Sequence, residues 1–334
     1  MNQFLPMATN HPENTNDLLI SSKILGVNIS GSKTIIVYGD MNGFIFERLQ
    51  TETTTGLSFL EAFDVLCEQV EKLFKICRAQ GLSRPEVISL AVSGPIDFVS
   101  GMILSPPDLP HWGDAQLKGR LGVHFNLPVF LEQRSNAAAL AEFHFGAGIN
   151  TANMILLDLE PVVNIGMILN GAIYHGSNSA AGEIGRMRMA DNGPAGLGSP
   201  GTLTGFASGL GMAELANQRF PQRWPIAPQP YHLVQAVNLG EPEAIKIVEV
   251  AADHLGKALL WLILAFDPEL IVFGHPADVL GEALLSPLRE AVLRYGGGEA
   301  RQLPRLALSK LGAKLDDTAA LMAVIDRFKN RPNS

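Results

Sequence analysis

The order of strand and helix patterns along the chain repeats, and this repeat limits the fold more than any other feature. Apolar extended segments over 24–52 precede a helical apolar pattern from Ser58 to Gln80 and a buried strand at 86–94. A similar order of strands and helices begins again at residue 153, where 153–176 is expected to form two long strands. Asn136 is expected to cap the helix that precedes this second block. Two α/β units of this kind pack with a cleft between them. The pattern therefore predicts a two-domain α/β protein that binds a ligand in a central cleft.

The composition narrows the partners that this chain can have. Of its 334 residues, 47% are apolar and 17% are charged, which is typical of a globular protein. The net charge of -8 argues against nucleic acid and against a basic membrane contact. The longest apolar run, 258–266, is far shorter than the roughly 20 residues that a bilayer span needs. With two cysteines and no signal peptide, we expect a cytoplasmic protein with a small-molecule partner, no direct nucleic-acid contact and no membrane.

Eight short segments, spread in order over most of the chain, carry specific strings. They are ILGVNISGSK (24–33), SGPID (93–97), SPPDLPHW (105–112), LEQRSNAAALAE (131–142), NGAIYHGSNSAAGEIG (170–185), FASGLG (206–211), FDPELIVFG (266–274) and SKLGAKLDDTAALMAVI (309–325). Together they resemble the ROK family of repressors, open reading frames and kinases. The most specific of them are SNAAALAE and AAGEIG.

This resemblance implies an α/β, actin-like (RNase H-like) sugar-kinase fold with two domains and a central cleft. The small N-terminal domain is expected over 23–133 plus a C-terminal helix at 316–330, and the larger domain over 134–315. Residues 1–22 are expected to form a flexible leader. Family kinases bind a hexose in the cleft, use an aspartate as the base and take the phosphoryl group from ATP with magnesium. Many relatives also hold zinc, and homodimers are usual.

The first phosphate loop departs from the family pattern of Asp-x-Gly-Gly-Thr-Lys. Glycine at such a turn lets backbone N–H groups approach phosphate oxygens. The corresponding residues here are Asn28, Ser30, Gly31, Ser32 and Lys33. The acid that would help to order magnesium is replaced by a neutral amide, and one glycine is replaced by serine. We expect either a degenerate phosphate loop or an ordinary Ser-Gly turn.

The catalytic segment of the family, Glu-Asn-Asp-Ala-Asn-Ala, reads Glu-Gln-Arg-Ser-Asn-Ala over 132–137. Arg134 therefore stands at the base position, and a guanidinium has no acceptor and stays protonated. Loss of a general base costs on the order of 10²–10⁴-fold in rate. Gln133 replaces the asparagine that contacts the sugar. The sequence predicts no catalytic residue.

The second phosphate loop is changed more strongly. The family string Gly-Thr-Gly-Ile-Gly-Gly-Gly is replaced by EPVVNIG at 160–166. Four of its five glycines are absent, Pro161 has no N–H to donate, and Glu160 brings a negative charge to the place of the phosphates. This segment predicts that ATP does not bind.

The zinc motif and the adenine wall are also lost. Arg186 occupies the position of the family's zinc-binding histidine, and the three cysteine positions fall near Gly196, Gly198 and Thr202. These residues are not zinc ligands, so no zinc is expected. A Gly-Gly-Gly segment on the adenine side is reduced to Gly-His-Pro at 274–276.

Some of the sugar-facing positions keep polar side chains. Glu183 is retained, Gln133 is one methylene longer than the usual asparagine, and Thr204 stands where the family has a second glutamate. Arg134 and Arg186 replace an aspartate and a histidine that both face the sugar, so we expect the two arginines to meet in one pocket. They would bind an anionic ligand such as a sugar phosphate or sugar acid. Alternatively, one of them pairs with Glu183 and plugs the site.

The favoured hypothesis is a catalytically inactive family member that binds a carbohydrate, either neutral or anionic, in the cleft. One alternative is a divergent ATP- and magnesium-dependent hexose or N-acetylhexosamine kinase, in which Asp158 or Glu160 would replace the base. Another is a transcriptional regulator without its DNA-binding domain. Some 22 residues precede the kinase-like region, whereas such a domain needs roughly 60–80.

Overall fold

The computed structural model describes residues 22–296 and 303–329. The predicted leader, apart from Ser22, lies outside the described residues. The strands are β1 (Lys23–Ile29), β2 (Lys33–Asp40), β3 (Ile45–Glu52), β4 (Val87–Val92), β5 (Ile96–Asp97), β6 (Met102–Ile103), β7 (Val129–Gln133), β8 (Met154–Asp158), β9 (Asn164–Leu169), β10 (Ala172–Ile173), β11 (Leu270–Phe273) and β12 (Arg305–Leu308).

Ten α-helices lie between or after these strands in the described part of the chain. They are α1 (Phe59–Ala79), α2 (Leu117–Phe125), α3 (Arg134–Phe145), α4 (Leu203–Ala207), α5 (Gly209–Arg219), α6 (Pro230–Asn238), α7 (Pro242–Phe266), α8 (Ala277–Leu280), α9 (Glu282–Tyr295) and α10 (Leu315–Lys329). None of the helices within the described ranges is both long and apolar enough to cross a membrane.

The helix α1 illustrates how the sequence pattern produces an element. Ser58 caps its first turn, and the Glu61 side chain accepts the Ser58 N–H in return, which forms a capping box. Its buried residues recur at helical spacing and pack against the first sheet, with Leu66, Val70 and Leu73 at the centre of this stripe.

Two five-stranded sheets have the same strand order. The first runs β3-β2-β1-β4-β7 and the second runs β10-β9-β8-β11-β12. In each sheet the three strands that come first along the chain are antiparallel and the last two add in parallel. The repeated pattern predicted from the sequence is therefore a repeated topology, and the molecule is the expected two-part α/β protein.

One core lies between the two sheets and joins them. The helices α3 and α10 pack there against each other, and side chains from both sheets contact them. Val37 comes from the first sheet and Leu156 from the second, and both are fully or almost fully buried in this layer. The relative position of the two halves is therefore fixed by packing on shared helices.

Local details differ from two sequence expectations. The segment 153–176 was expected to form two long strands, but it forms three, because Asn170 and Gly171 take positive φ angles and make a tight turn between β9 and β10. Asn136 was expected to cap α3, but the helix begins two residues earlier, after Gln133. The amide of Asn136 instead donates to the Glu132 carboxylate.

Candidate functional site

The carboxyl ends of the parallel strands meet at the cleft, which is where ligands bind in sheets of this kind. Two separate spaces open there. One is a cavity of about 730 Å³ and the other, around Arg134, is a cavity of about 50 Å³. Ligand pockets usually measure roughly 300–1,000 Å³, so the larger cavity has the size of a binding site and the smaller does not.

The larger cavity, which we call the cleft pocket, is lined by both halves of the molecule. The first half provides Gly94, Pro95, Leu104, Ser105 and Pro107, and the second half provides Val162, Val163, Asn164, Glu183, Gly185, Arg186, Arg188, Leu197, Gly198, Ser199, Thr202 and Thr204. Three residues predicted from the sequence, Glu183, Arg186 and Thr204, therefore share one space. Hydroxyl, amide and short apolar groups form the rest of its wall.

Glu183 and Arg186 form an ion pair at the edge of the cleft pocket. The Arg186 Nη1 atom donates to Oε2 of Glu183 over 2.8 Å. The Glu183 side chain is 14% exposed, whereas that of Arg186 is 81% exposed. Arg186 thus forms the pair with Glu183 that one alternative expected, but its exposed guanidinium does not plug the pocket.

Thr204 and Gln133 lie at the inner wall. The Thr204 hydroxyl accepts the N–H of Val163 over 3.2 Å, so it ties α4 to the segment before β9. Gln133 is buried, and its side-chain amide packs against Gly94, which lines the pocket. Both residues are at the pocket or next to it, as their sequence positions predicted.

The segment between β10 and α4 is held in place by hydrogen bonds and has no metal ligands at the positions of the family's zinc motif. Oε2 of Glu214 accepts the N–H groups of Ala195 and Gly196 over 2.8 Å and 3.2 Å, and the Thr202 hydroxyl donates to the Ser199 carbonyl over 2.7 Å. Within the described ranges, no group of three or more histidine, cysteine, aspartate or glutamate side chains is placed to bind a metal. The residues at the family's zinc position do not fit zinc.

Arg134 does not lie in the cleft pocket, and the expectation that it meets Arg186 there is wrong. Its side chain, 11% exposed, turns into the smaller cavity. Nη1 donates to Oδ2 of Asp158 over 2.7 Å and to the Glu160 carbonyl over 2.8 Å, and Nη2 lies 3.5 Å from Oδ1 of Asp316. The two acidic partners draw the guanidinium away from the sugar side of the cleft.

Lys33 completes this cluster at its partly exposed edge. Its ammonium lies 2.6 Å from Oδ2 of Asp316, and the amide of Asn28 donates to the Asp316 backbone carbonyl over 2.9 Å. We call Lys33, Arg134, Asp158 and Asp316 the ion cluster. Its members come from β2, α3, β8 and α10, so the cluster connects both sheets to the two helices between them.

The first phosphate loop has its backbone donor already occupied. The N–H of Gly31 donates to Oδ2 of Asp108 over 2.8 Å, and the Ser93 hydroxyl donates to the same oxygen over 2.7 Å. A Cβ atom at Gly31 would collide with the Asp108 backbone. Ser30 and Ser32 are joined by a hydroxyl–hydroxyl hydrogen bond of 3.2 Å. The backbone N–H of Gly31 is thus already satisfied by a carboxylate of the protein.

The acids in and beside the small cavity have shifted pKa values. Burial raises the pKa of Asp158 to about 6, although Arg134 acts in the opposite direction, and burial also raises the pKa of Glu160. Burial acts to raise the pKa of Asp316 too, but Arg134 and Lys33 outweigh it and the pKa is lowered. For Asp158 and Glu160, burial, which disfavours a charged carboxylate, outweighs the attraction of the nearby cations.

A second pair, His275 with Asp278, lines the small cavity at the segment where the family has its adenine-side glycines. Nδ1 of His275 lies 2.9 Å from Oδ1 of Asp278, and this hydrogen bond raises the pKa of the imidazole. Both residues line the small cavity with the ion cluster. At about 50 Å³ this space is much smaller than a usual ligand pocket, and three aspartates line it.

Sequence reasoning did not identify Arg188, Asp108 or Asp316. Arg188 lines the cleft pocket two residues after Arg186, and this spacing was visible in the sequence. Asp108 lies inside the SPPDLPHW segment, which carried the family resemblance but had been given no role. Asp316 comes from a helix far along the chain, and no local pattern marks it as the partner of Arg134.

A third space was also missed. It measures about 470 Å³ and lies between β7, β10 and α10. In its wall, Nε2 of His175 lies 2.8 Å from Oε2 of Glu132, and this hydrogen bond raises the pKa of the histidine. Glu132 directly precedes Gln133 at the end of β7, so the pair ties this strand end to the segment after β10.

Comparison with known proteins identifies relatives over nearly the whole described chain. A family model described as the ROK family matches residues 24–323. The glucokinase of Halalkalibacterium halodurans is 31% identical over 239 residues, which cover 67% of this chain and 70% of that protein. The xylose repressor of Caldicellulosiruptor bescii is 27% identical over 215 residues, which cover 61% of this chain and 54% of the repressor.

The fold is shared with solved structures. A ROK family glucokinase from Streptomyces griseus, in complex with glucose and AMPPNP, superposes with a TM-score of 0.77 at 26% identity. The alignment covers 89% of this chain and 97% of that one. The expected actin-like, two-domain sugar-kinase fold is confirmed.

Proposed function

This chain belongs to the ROK family, and from that premise we propose that it binds a carbohydrate in the cleft pocket without transferring phosphate to it. The observation that carries the proposal is the ion cluster. Arg134 stands at the base position and is bonded to Asp158 and Asp316. A protonated guanidinium fixed in this way cannot accept a proton from a sugar hydroxyl.

The phosphate side of the cleft supports the same conclusion. The Gly31 N–H is bound to Asp108, and the segment that follows β8 contributes Glu160 rather than glycine. Each of these carboxylates repels a triphosphate. The hydrogen bonds of Gly31 to Asp108 and of Arg134 to the Glu160 carbonyl would also have to break, at a cost in stability. The departures from the family pattern thus fall where ATP chemistry needs donors and cations.

The sugar side supports binding. The cleft pocket has the volume of a ligand site and is lined by hydroxyl and amide groups that suit a polyol, including Ser105, Asn164 and Thr202. The retained Glu183 offers a carboxylate to sugar hydroxyls. The Streptomyces griseus glucokinase, whose structure is a complex with glucose, shares its fold with 89% of this chain.

A divergent ATP-dependent kinase is the second candidate, because the relatives include glucokinases. It would need Asp158 or Glu160 as its base. Asp158 is engaged by Arg134, and both acids line or adjoin a cavity of about 50 Å³, which leaves no space for a sugar hydroxyl and a phosphate together.

A regulatory role is compatible with ligand binding, because the relatives also include a xylose repressor. In that case the sugar-loaded cleft would act through protein contacts. A cytoplasmic homodimer is the assembly and location that the family resemblance implies, and we include both in the proposal.

The proposal is tested with two measurements on the same protein. Thermal unfolding is followed with hexoses, N-acetylhexosamines and magnesium–ATP, and ADP formation is followed in a coupled assay. A sugar present at about 100 times its dissociation constant should stabilise the protein by about 2.7 kcal/mol, while ADP stays at the background level. Sugar-dependent ADP formation, or no response to any sugar, would contradict the proposal.

A matched pair of variants locates the binding. Glu183→Gln removes the pocket carboxylate and should weaken sugar binding by about tenfold or more. Glu249→Gln removes a carboxylate of the same kind from an exposed pair with Lys246 on α7 and should leave binding unchanged. Equal affinities for the two variants would place the sugar elsewhere.

A further inference from the structure

The charges of the cleft pocket point to a more specific ligand. Of the residues that line it, Glu183, Arg186 and Arg188 are ionisable, so the wall carries one net positive charge in a chain of net charge -8. We infer that the bound carbohydrate is acidic and that Arg188, assisted by Arg186, holds its carboxylate or phosphate. This inference rests on the proposed carbohydrate binding and names the class of sugar.

Arg188 is the unbalanced charge. No carboxylate within the described ranges lies within 4.0 Å of its guanidinium, whereas Arg186 is paired with Glu183. Nη1 of Arg188 donates instead to the backbone carbonyls of Ala190, Asp191 and Pro200 over 3.2 to 3.3 Å. These contacts orient the guanidinium but leave its positive charge unpaired.

The remaining nitrogens of Arg188 are suited to an oxyanion. Nε and Nη2 form no hydrogen bond with any residue in the described part of the chain, while Nη1 is held by the three carbonyls. A guanidinium presents such a pair of N–H groups in a fixed plane that matches two oxygens of a carboxylate or phosphate. The side chain is thus oriented before the ligand arrives, which reduces the entropy lost on binding.

Arg186 lies on the same wall. Met187 between the two arginines has φ −58° and ψ 126°, so the backbone between them is extended rather than helical. Both arginines line the cleft pocket. Arg186 keeps one nitrogen on Glu183 and is 81% exposed, so it can turn toward an anion without losing buried contacts.

The rest of the wall suits the neutral part of such a ligand. Leu104, Val162 and Leu197 give short apolar surfaces, and Ser105 and Asn164 give polar groups for hydroxyls. Glu183 is the single carboxylate of the described lining, and it repels an anion near itself. The acidic group is therefore directed to the Arg188 side, with the hydroxyls toward Glu183.

The test compares ligands of the same ring that differ in charge. Glucose, glucuronate, glucose 6-phosphate and inorganic phosphate are titrated into the full chain by calorimetry at low and at high salt. We expect glucuronate or glucose 6-phosphate to bind about tenfold to a hundredfold more tightly than glucose, and added salt to reduce this preference. The two acidic ligands distinguish a carboxylate site from a phosphate site.

Variants then test whether the charge of Arg188 is responsible for the preference for an acidic sugar. Arg188→Met keeps the aliphatic stem and should reduce the preference for the acidic sugar over glucose by at least tenfold. Arg78→Met changes an exposed arginine of α1 that does not line the cleft pocket and should leave that preference unchanged. If Arg188→Met melts at a much lower temperature, Arg188→Lys and the salt dependence of the wild type still report on the charge.

The outcomes separate the two claims. If glucose binds as tightly as its acidic counterparts, the acidic-ligand inference is overturned and the carbohydrate proposal stands. If none of the sugars binds, both are overturned. If phosphate alone binds as tightly as glucose 6-phosphate, the site recognises a free anion and the inference is overturned as well.

Discussion

At the scale of single residues, Arg134 shows how a catalytic position can become a structural one. Its guanidinium satisfies two carboxylates and one carbonyl in a buried place. Burial acts to lower its pKa, but the attraction of Asp158 and Asp316 outweighs burial and raises it further. Arg134, which cannot act as a base, thus stabilises the ionised forms of Asp158 and Asp316.

Removal of this charge should be costly. Arg134→Ala leaves Asp158 and Asp316 without their buried partner, and we expect the free energy of unfolding to fall by about 3–5 kcal/mol. Urea denaturation measures this change, with Arg78→Ala as the exposed control. A loss below about 1 kcal/mol would show that the ion cluster contributes little to stability.

Restoration of the family's aspartate should not restore a kinase. Arg134→Asp adds a carboxylate beside Asp158 and Asp316 and removes the cation that they share, so we expect a less stable protein with no sugar-dependent ADP formation. The coupled ADP assay is the measurement. Activity above background would mean that the other departures from the family pattern are tolerated.

The pKa of Asp158 predicts a pH effect of defined sign. Its value of about 6 lies above that of an exposed aspartate, 3.8, so the native state binds this proton more tightly than the unfolded state does. Its contribution to stability is fully present below about pH 3.8 and is lost as the pH rises through 6. Asp158→Asn imitates the protonated form at every pH.

We therefore expect the stability of Asp158→Asn, relative to wild type, to increase from pH 4 to pH 7 and then to level off. Chemical denaturation of both proteins across this range gives the difference directly. The comparison with wild type matters because Asp316, whose pKa is lowered, changes the total stability in the opposite sense. A difference that is flat or shrinks with pH would contradict the assignment.

At the scale of elements, the loop between β1 and β2 is shaped by its contact with Asp108. Gly31→Ala would place a methyl group against the Asp108 backbone, and we expect a loss of about 1–3 kcal/mol. Gly119→Ala in α2 is the matched control, because nothing lies within 4 Å of the new methyl group. It should be neutral or add up to about 1 kcal/mol, as helical alanine does.

Thermal or urea denaturation of the two glycine variants gives both values. Similar effects of Gly31→Ala and Gly119→Ala would mean that the first loop is free to move away from Asp108, and then it would be free to admit phosphate as well.

Most elements could be predicted from the sequence, because their apolar residues recur with the period of a strand or of a helix. The sequence predicts β9 and β10 as one strand, because apolar residues continue on both sides of Asn170 and Gly171. This dipeptide is nevertheless a hairpin signal. The start of α3 was placed too late because Asn136 is a good cap residue by type, whereas its side chain is used by Glu132.

The site could be predicted only in part, and the reason is distance along the chain. Glu183, Arg186 and Thr204 lie on neighbouring segments, so their shared cavity followed from the family pattern. The direction of Arg134 did not, because its partners Asp158 and Asp316 come from separate elements that local sequence does not connect. The ligand roles of all these residues stay predictions until binding is measured.

At the scale of the whole molecule, the shared core between the sheets should make unfolding cooperative. The helices α3 and α10 contact both sheets, and the ion cluster joins the same parts. We expect a single calorimetric transition in which the van't Hoff and calorimetric enthalpies agree. Two resolved transitions would show that the halves unfold independently and that their common core is weak.

The position of α10 has a consequence for synthesis on the ribosome. The strands β1, β2 and β4 are made early, but the helix that covers them follows Val92 by more than 200 residues, at Leu315. At about 5–20 residues per second, the first sheet waits roughly 10–45 s for its cover. During that interval the nascent chain presents an apolar sheet face, which makes it a natural client for a chaperone.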